Sequence, residues 1–294
     1  MRNITGLAVV LMFVAASGFG QARIGLSGTV EWDTQEVNAV ISLDLASAGL
    51  RLPAGRTQGE ALISSEYLRL IRPAILSLQV DSSYTISDLV RRGELTMQDV
   101  DNFASRARAV PPALSRDFTS LAAAYTLNIA DISAALIRHT RPVQVPRTIR
   151  PVPASFYTGI IIIASESLPI HGRMGSALAQ PCLFPQIWDS EMNLIFERNM
   201  LNTNVRTAVR YFRMRDIFAA GPSGLSPEIT SVVGTRPLRI FAQGVFGITP
   251  SDLIIDRDDV LLIISNEENR RLLSEGRIAI ILDESVLKNS LAYF

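Results

Sequence analysis

The sequence predicts an α+β protein of two domains, each a small, mostly antiparallel sheet packed with helices, behind a cleaved signal peptide. Three observations carry this. At roughly 100–200 residues per domain, a chain of 294 residues has room for two separate cores. Apolar spacing switches between the two-residue period of strands and the 3.6-residue period of helices in both halves. A stretch at 140–156, with Pro142, Pro146, Pro151 and Pro153 and no apolar period, parts the halves. The expected layout is therefore a signal peptide at 1–22, a first domain at 23–139, a connector at 140–156 and a second domain at 157–294.

The start of the chain sets the compartment. Arg2 forms a short positive region, residues 7–14 form an apolar run, and small residues follow up to Ala22, the pattern of a secretory signal cleaved between Ala22 and Arg23. Gly18, Gly20 and Gln21 make the run shorter than the ~20 apolar residues of a bilayer span. Left uncleaved, the same segment would serve as an anchor. No Cys follows it to accept a lipid, so the mature chain is expected in the periplasm without an integral span.

Residues 24–32 and 37–45 alternate apolar with polar or small residues about a polar turn and read as a β-hairpin with one buried face. Ala61, Leu68, Ile71, Ile75 and Leu78 then form one helical stripe, expected to kink or split at Pro73. Thr96-Met97-Gln98-Asp99 has capping-box spacing and opens a helix expected to reach Arg108. A strand at 119–129 and a short helix at 131–139 complete the unit. In the second half, 157–164 is an apolar run suited to a strand covered on both faces. Strands are also expected at 192–197, 238–245 and 277–282, and helices at 257–264 and 267–273 with Gly276 as the C-terminal cap. The runs 160–163 and 278–282 should share one sheet beneath those helices, and few contacts should cross the connector.

Composition excludes several classes. With 28 basic against 28 acidic residues, 48% hydrophobic residues, 18 Gly and 15 Pro, the chain is neither disordered nor collagenous nor a basic nucleic-acid binder. Lys288 is its one lysine, to which no function is attached. Candidate chemistry is sparse. The acids Asp256, Asp258 and Asp259, with Glu267 and Glu268, read either as a cation site or as carboxylates opposing helix dipoles. His171, in a loop beside Arg173, reads as a base or a surface residue, and His139 as the end of a short helix. Cys182 reads as a buried thiol or as the donor of an intermolecular disulfide. Gly221-Pro222-Ser223-Gly224 is a turn. Arg138, Arg141, Arg147 and Arg150 form a positive cluster, either a solvated connector or a seat for an acidic partner. No nucleophile elbow, Walker loop or zinc-protease helix occurs in the sequence.

The order of elements in 24–130 resembles the FlgP/FlgT-like family of periplasmic flagellar-disk proteins and small outer-membrane lipoproteins. The residues concerned are Gly28-Thr29-Val30-Glu31-Trp32, Arg56 and Ala61 at a helix entry, Leu76-Ser77-Leu78-Gln79-Val80, the segment 82–88 and the strand 119–129. In the second half, 157–162, 184–189 and 273–283 resemble an element attached to such domains, with Asn193 at a turn where relatives tend to carry Gly and 164–167 in place of their Asp-Ala-Arg-Gly. The resemblance implies a non-catalytic envelope structural or assembly protein without cofactor, catalytic residues or metal ligands. Its expected partners are other envelope or flagellar basal-body proteins or further copies of itself, and not nucleic acid. The alternative is a periplasmic hydrolase or small-ligand-binding protein using His171 and the acids at Asp256, Asp258 and Asp259. Mass spectrometry of the exported protein should find its amino terminus within two residues of Arg23, and an intact Met1 would overturn the cleavage.

Overall fold

The computed structural model describes residues 24–149, 152–218 and 224–293. The signal segment with its cleavage point lies outside them, as do Arg150 and residues 221–223 of the glycine turn.

The first sheet is antiparallel throughout. Strands β1 (Ile24–Glu31) and β2 (Glu36–Asp44) form the hairpin, with Ile24 opposite Leu43 and Glu31 opposite Glu36. Val37, Ala39, Ile41 and Leu43 alternate into the core, as period-two burial requires. Helix α1 (Gly55–Leu76) lies over that face and buries Ile63, Tyr67, Leu70, Ile71, Ala74 and Ile75. Its stripe is offset from the expected one, for Ala61 is exposed and Leu68 only half-buried. Pro73 neither splits nor ends the helix. It stands in the last turn, where a single N–H is lost while its own carbonyl still accepts from Ser77 N–H at 3.0 Å. Two short helices follow, α2 (Ile86–Arg91) and α3 (Met97–Ala104), each opened by a complete capping box, Thr85 with Asp88 and Thr96 with Asp99. The second box matches its expectation, but α3 ends at Ala104 rather than Arg108.

Short strands β3 (Arg108–Ala109) and β4 (Ala113–Leu114) both pair with β5 (Ser120–Asn128), separated by Pro111-Pro112, which cannot donate to a ladder. That broken edge is a poor template for further pairing. Helix α4 (Ile129–Leu136) closes the unit, capped by the Asn128 side chain on Ala130 N–H at 2.8 Å. It starts and ends slightly earlier than the expected 131–139. Tyr67 ties the helical layer together: its hydroxyl donates to Ala104 O at 2.8 Å and its ring stacks on Tyr125 at 4.1 Å. Arg72 binds Asp101 through two bonds of 2.6 and 2.8 Å.

The second domain departs from expectation in strand direction. Its strands are β6 (Ile160–Ala164), the small hairpin β7 (Ser167–Pro169) and β8 (Ser176–Leu178), β9 (Ile187–Asp189), β10 (Leu194–Phe196) and β11 (Arg210–Arg213). Helix α5 (Pro227–Val233), β12 (Leu238–Phe246), β13 (Asp252–Ile255), α6 (Arg257–Ile264), α7 (Glu267–Ser274) and β14 (Ile278–Leu282) follow. The seven-stranded order is β10-β9-β13-β12-β6-β14-β11. Four of its pairings are parallel and two antiparallel, so the expectation of a mostly antiparallel second sheet fails. The physical cause is burial of both faces. Ile160, Ile162, Ile278 and Ile280 join the large core, while Ile161, Ile163, Ala279 and Ile281 meet α5 through Ile229 and Val233 on the other side. The runs 160–163 and 278–282 are neighbours, Ile160 opposite Ile278, as expected. Val260, Ile263, Leu272 and Leu273 of α6 and α7 join the large core. Gly276, at φ +65°, closes α7: its N–H donates to Leu273 O and that of Arg277 to Leu272 O, the paired bonds of a Schellman cap.

The halves are not loosely strung. A sixth strand, β15 (Lys288–Tyr293), returns from the second domain to pair antiparallel with β1, so residues assigned to the second domain belong to the first sheet. One apolar cluster runs from Leu26 through Ile162 to Leu291. The connector is docked: Val143 N–H donates to Asn199 O at 2.7 Å and Val152 N–H to Ser265 Oγ at 3.1 Å. Asn269, 1% exposed, pins its end, accepting from Tyr157 N–H at 3.1 Å and donating to Ser155 O and Leu262 O, both at 2.9 Å. The expectation that few contacts cross between the halves is thereby corrected. Asn269→Ala leaves these groups unmet and should lower stability by about 1–3 kcal/mol. That appears as a lower urea midpoint at unchanged slope, and an unchanged midpoint would deny the pin.

Candidate functional site

The densest set of buried polar groups lies where the turn 79–84 of the first domain enters the second. Asp81 shapes the turn, its Oδ1 accepting from Ser83 N–H at 2.8 Å and Tyr84 N–H at 2.9 Å. The turn then offers its carbonyls outward. Gln79 O accepts from Leu183 N–H at 3.0 Å, Val80 O from Phe184 N–H at 2.8 Å and Ser82 O from Thr249 N–H at 2.9 Å. Gly247 makes the approach possible: a Cβ there would stand 2.3 Å from Ser82 Cβ, and its φ of +109° is one that side chains rarely adopt.

Asp252 opens β13 behind this turn and is fully buried. Its Oδ1 accepts from Gln186 N–H at 2.9 Å, and Ser82 and Trp188 stand close enough to the carboxyl to favour its charged form, while Oδ2, Ser251 Oγ and Trp188 Nε1 make no hydrogen bond of ordinary geometry. Burial pushes the Asp252 carboxyl up to about 6, with the charge of Asp81 acting in the same direction and the Gln186 N–H opposing it. Cys182 sits in the same layer. Its N–H donates to Tyr211 Oη at 3.0 Å, and that hydroxyl donates to Cys182 O at 2.8 Å. Burial raises the pKa of both the thiol and the phenol, so Cys182 stays protonated and is no nucleophile at neutral pH. Its burial also removes it from reach of a second chain's thiol.

A second contact zone surrounds Trp32. Its N–H donates to Leu287 O at 2.9 Å, and its ring meets Tyr211 edge-on at 6.0 Å. Arg213 reaches Asp33 at 2.5 Å and Glu284 at 3.2 Å. Lys288 pairs with Glu31 at 2.6 Å, and this hydrogen bond holds the Glu31 carboxyl below its ordinary range. His139 Nε2 lies 2.6 Å from Leu201 O, and Arg206 pairs with Asp131. Apart from the Lys288–Glu31 pair, which lies within the first sheet, and Arg213 with Glu284, these contacts join one domain to the other.

The residues singled out from sequence do not converge. His171 is exposed at the tip of the β7–β8 hairpin, its N–H on Val245 O at 2.8 Å and its ring edge-on to Phe246 at 6.0 Å. Asp256 caps α6: Oδ1 accepts from Asp258 N–H and Oδ2 from Gln243 Nε2, both at 2.8 Å. The carboxyl of Asp259 is raised by burial and by Asp256 and Asp258. Glu268 pairs with Arg271 at 2.9 Å and Glu267 with Arg270. Among the described residues no three His, Cys, Asp or Glu side chains gather as a metal site would require. The backbone in the left-handed region near Asn193 is that of Met192, at φ +62°, while Asn193 donates to Asp189 Oδ2 at 2.8 Å. Arg138 bonds Glu94 O at 2.9 Å, and Arg147 lines a cleft of about 350 Å³ with Arg270 and Arg271. Sequence reasoning passed over Asp252 and Asn269, and took Ser82 only as the start of the segment 82–88. Asp252 carries no local signal, for its partners lie far along the chain.

Fold and seam together define a two-domain α+β protein whose first domain docks on the second through the turn 79–84 and the surroundings of Trp32. Residues 23–135 match the family described as the Treponema pallidum Tp0624 N-terminal domain, and residues 159–284 match the one described as the Tp0624 second domain. The two halves are thus similar, in the same order, to two named domains of one bacterial family. No curated protein matches the chain. Among the described residues no helix is long and apolar enough to cross a membrane.

The seam gives a signed pH dependence. The folded-state pKa of Asp252 is raised above its ordinary 3.8, so the contribution to stability is whole below about pH 4 and is lost as pH rises through about 6. The loss is on the order of 2–3 kcal/mol. Asp252→Asn keeps the shape and removes the titration. Denaturant titrations should find it equal to wild type near pH 4 and more stable at pH 8, and a constant difference across that range would sink the assignment.

Proposed function

We propose that this is an exported, non-catalytic protein of the bacterial cell envelope that works as a structural or assembly part. The observation that carries the reading is the seam. Main-chain bonds from Gln79, Val80 and Ser82 and the contact of Trp32 with Tyr211 join the two domains into one body, and none of the buried groups Asp252, Ser82, Cys182 and Tyr211 lines either of the two clefts beside the connector. The signal pattern at 1–22 and the two matches to a bacterial family support it. The FlgP/FlgT resemblance of 24–130 adds the periplasmic flagellar basal body as the assembly and its proteins, or further copies of this chain, as partners. No observation favours the hydrolase alternative, since His171 is exposed, Asp256 is engaged as the cap of α6, and Glu267 and Glu268 are engaged in ion pairs.

Cell fractionation followed by in situ cross-linking tests this. The protein should fractionate with the envelope and give cross-linked species above monomer mass, and its deletion should alter envelope or flagellar structure. A cytosolic protein, or an exported one that stays a free monomer and whose loss changes neither structure, would defeat the reading.

A further inference from the structure

The first sheet has one long, regular edge. β15 lies outside β1 in the order β15-β1-β2-β5-β3, and its register with β1 runs unbroken from Lys288 opposite Glu31 to Tyr293 opposite Leu26. The other edges of the two large sheets are short or interrupted. β3 has two residues and is followed by Pro111-Pro112, β10 has three and a register shift against β9, and β11 has four. β15 has six, with neither proline nor glycine among them. A lysine on an edge usually discourages pairing, but Lys288 stands at the first position and its ammonium is held by Glu31 of β1 at 2.6 Å. Leu291 is buried and anchors the strand, while Lys288, Asn289 and Ser290 are exposed.

Which main-chain groups face outward follows from one bond. Trp32 N–H donates to Leu287 O at 2.9 Å, and these residues stand opposite each other one step beyond Glu31 and Lys288 in the same register. In an antiparallel ladder, hydrogen-bonded pairs alternate with pairs that are not bonded. Leu287, Asn289 and Leu291 therefore spend their N–H and C=O groups on β1, whereas Lys288, Ser290 and Ala292 direct theirs away from it. Among the described residues no main-chain group meets those outward donors and acceptors.

We propose that they are met by β15 of a second copy of this chain, running antiparallel about a two-fold axis at Ser290. The spacing is self-complementary. With Ser290 opposite Ser290, Lys288 falls opposite Ala292 and Ala292 opposite Lys288, so every outward group of both strands finds a partner. A shift by one residue would set outward groups against inward ones, and a shift by two would leave one outward residue of each strand unmet. These residues share one face of the sheet, so the axis stands perpendicular to it and α1 covers the same side of both copies. No charge meets a like charge, since the two Lys288 lie on opposite sides of the axis. The second domain enters β15 at its Lys288 end, so antiparallel pairing sends the two second domains to opposite ends of the joint, where parallel pairing would crowd them together. A strand of another protein would need a matching run of its own, which the second copy brings by construction. One short strand makes an interface at the small end of the range, hence a reversible dimer. The inference rests on the assembly reading for its purpose and names the partner as another copy of this chain.

Sedimentation of the chain from Arg23 to Phe294 should find monomer and dimer in an equilibrium that moves to dimer with concentration. Ser290→Pro deletes an outward N–H and spares the ladder to β1, as proline does on sheet edges, and should weaken the dimer about ten-fold or more. Across the axis the two Ser290 stand ~5.5 Å apart. Ser290→Asp and Ser290→Lys should therefore each be monomeric, and an equal mixture of the two should form a dimer again. That rescue needs both variants folded, so it decides the matter even where Ser290→Pro fails to fold. A monomer at every concentration, a dimer that survives the charged variants, or a mixture no more associated than its parts would overturn the proposal. A purified monomer that is cross-linked to other envelope proteins in the cell would defeat this inference and leave the envelope reading standing. A dimer with the Ser290 signature in a cytosolic protein would do the reverse.

Discussion

The pairing of β15 with β1 is the constraint on which the rest of the molecule depends. It joins the last strand of the chain to the first, Glu31 opposite Lys288 and Leu26 opposite Tyr293. The second domain is thereby an insertion between α4 and the final strand of the first sheet, held by two covalent crossings rather than one. Closing a loop of roughly 260 residues costs only about 5 kcal/mol of chain entropy if it is free. The second domain removes much of that freedom, because Trp32 N–H on Leu287 O and Arg213 between Asp33 and Glu284 fix the place where β15 begins. Seam and strand therefore support each other, and the continuous apolar cluster follows from both.

The seam is built mainly of backbone hydrogen bonds, and this shapes its chemistry. The turn 79–84 presents carbonyls whose partners, Leu183, Phe184 and Thr249, are main-chain donors. Such contacts are indifferent to side-chain identity except where space is short, as at Gly247. The exception with electrostatic consequence is Asp252, a carboxyl placed where neutral residues would do and left with one oxygen outside ordinary hydrogen-bond geometry. Asn269 does for the connector what the turn does for the domains, with a single buried amide meeting three backbone groups.

Features with local causes were legible in the sequence. The hairpin at Ile24–Asp44 followed from alternation, the box at Thr96 from spacing, the cap at Gly276 from glycine after a helical stripe, and the adjacency of β6 and β14 from two runs too apolar to face water. The box at Thr85 obeys the same rule and was visible in Thr85-Ile86-Ser87-Asp88, masked by its short helix. Features set by distant partners were not legible. Strand direction in the second sheet depends on connections through α5 to α7, which no apolar period encodes. The last strand, Lys-Asn-Ser-Leu-Ala-Tyr, names no partner among those available. Asp252 and Asn269 read as ordinary polar residues because what satisfies them lies 66 and 112 positions away in the chain. The connector misled for a related reason: prolines predict an extended path but do not say whether that path is docked.

The closing strand also has a temporal meaning. A chain made from its amino terminus completes β1, β2 and β5 long before β15 exists. At the usual ~5–20 residues per second, the outer edge of β1 waits on the order of ten seconds or more for its neighbour. Throughout that interval it offers unpaired main-chain groups to any passing strand. The opposite edge is guarded by Pro111-Pro112, but nothing comparable guards β1. The nascent protein is therefore most vulnerable to mispairing at β1 while its inserted domain is still emerging, and arrival of the final residues gives that strand its partner and moves the open edge outward to β15.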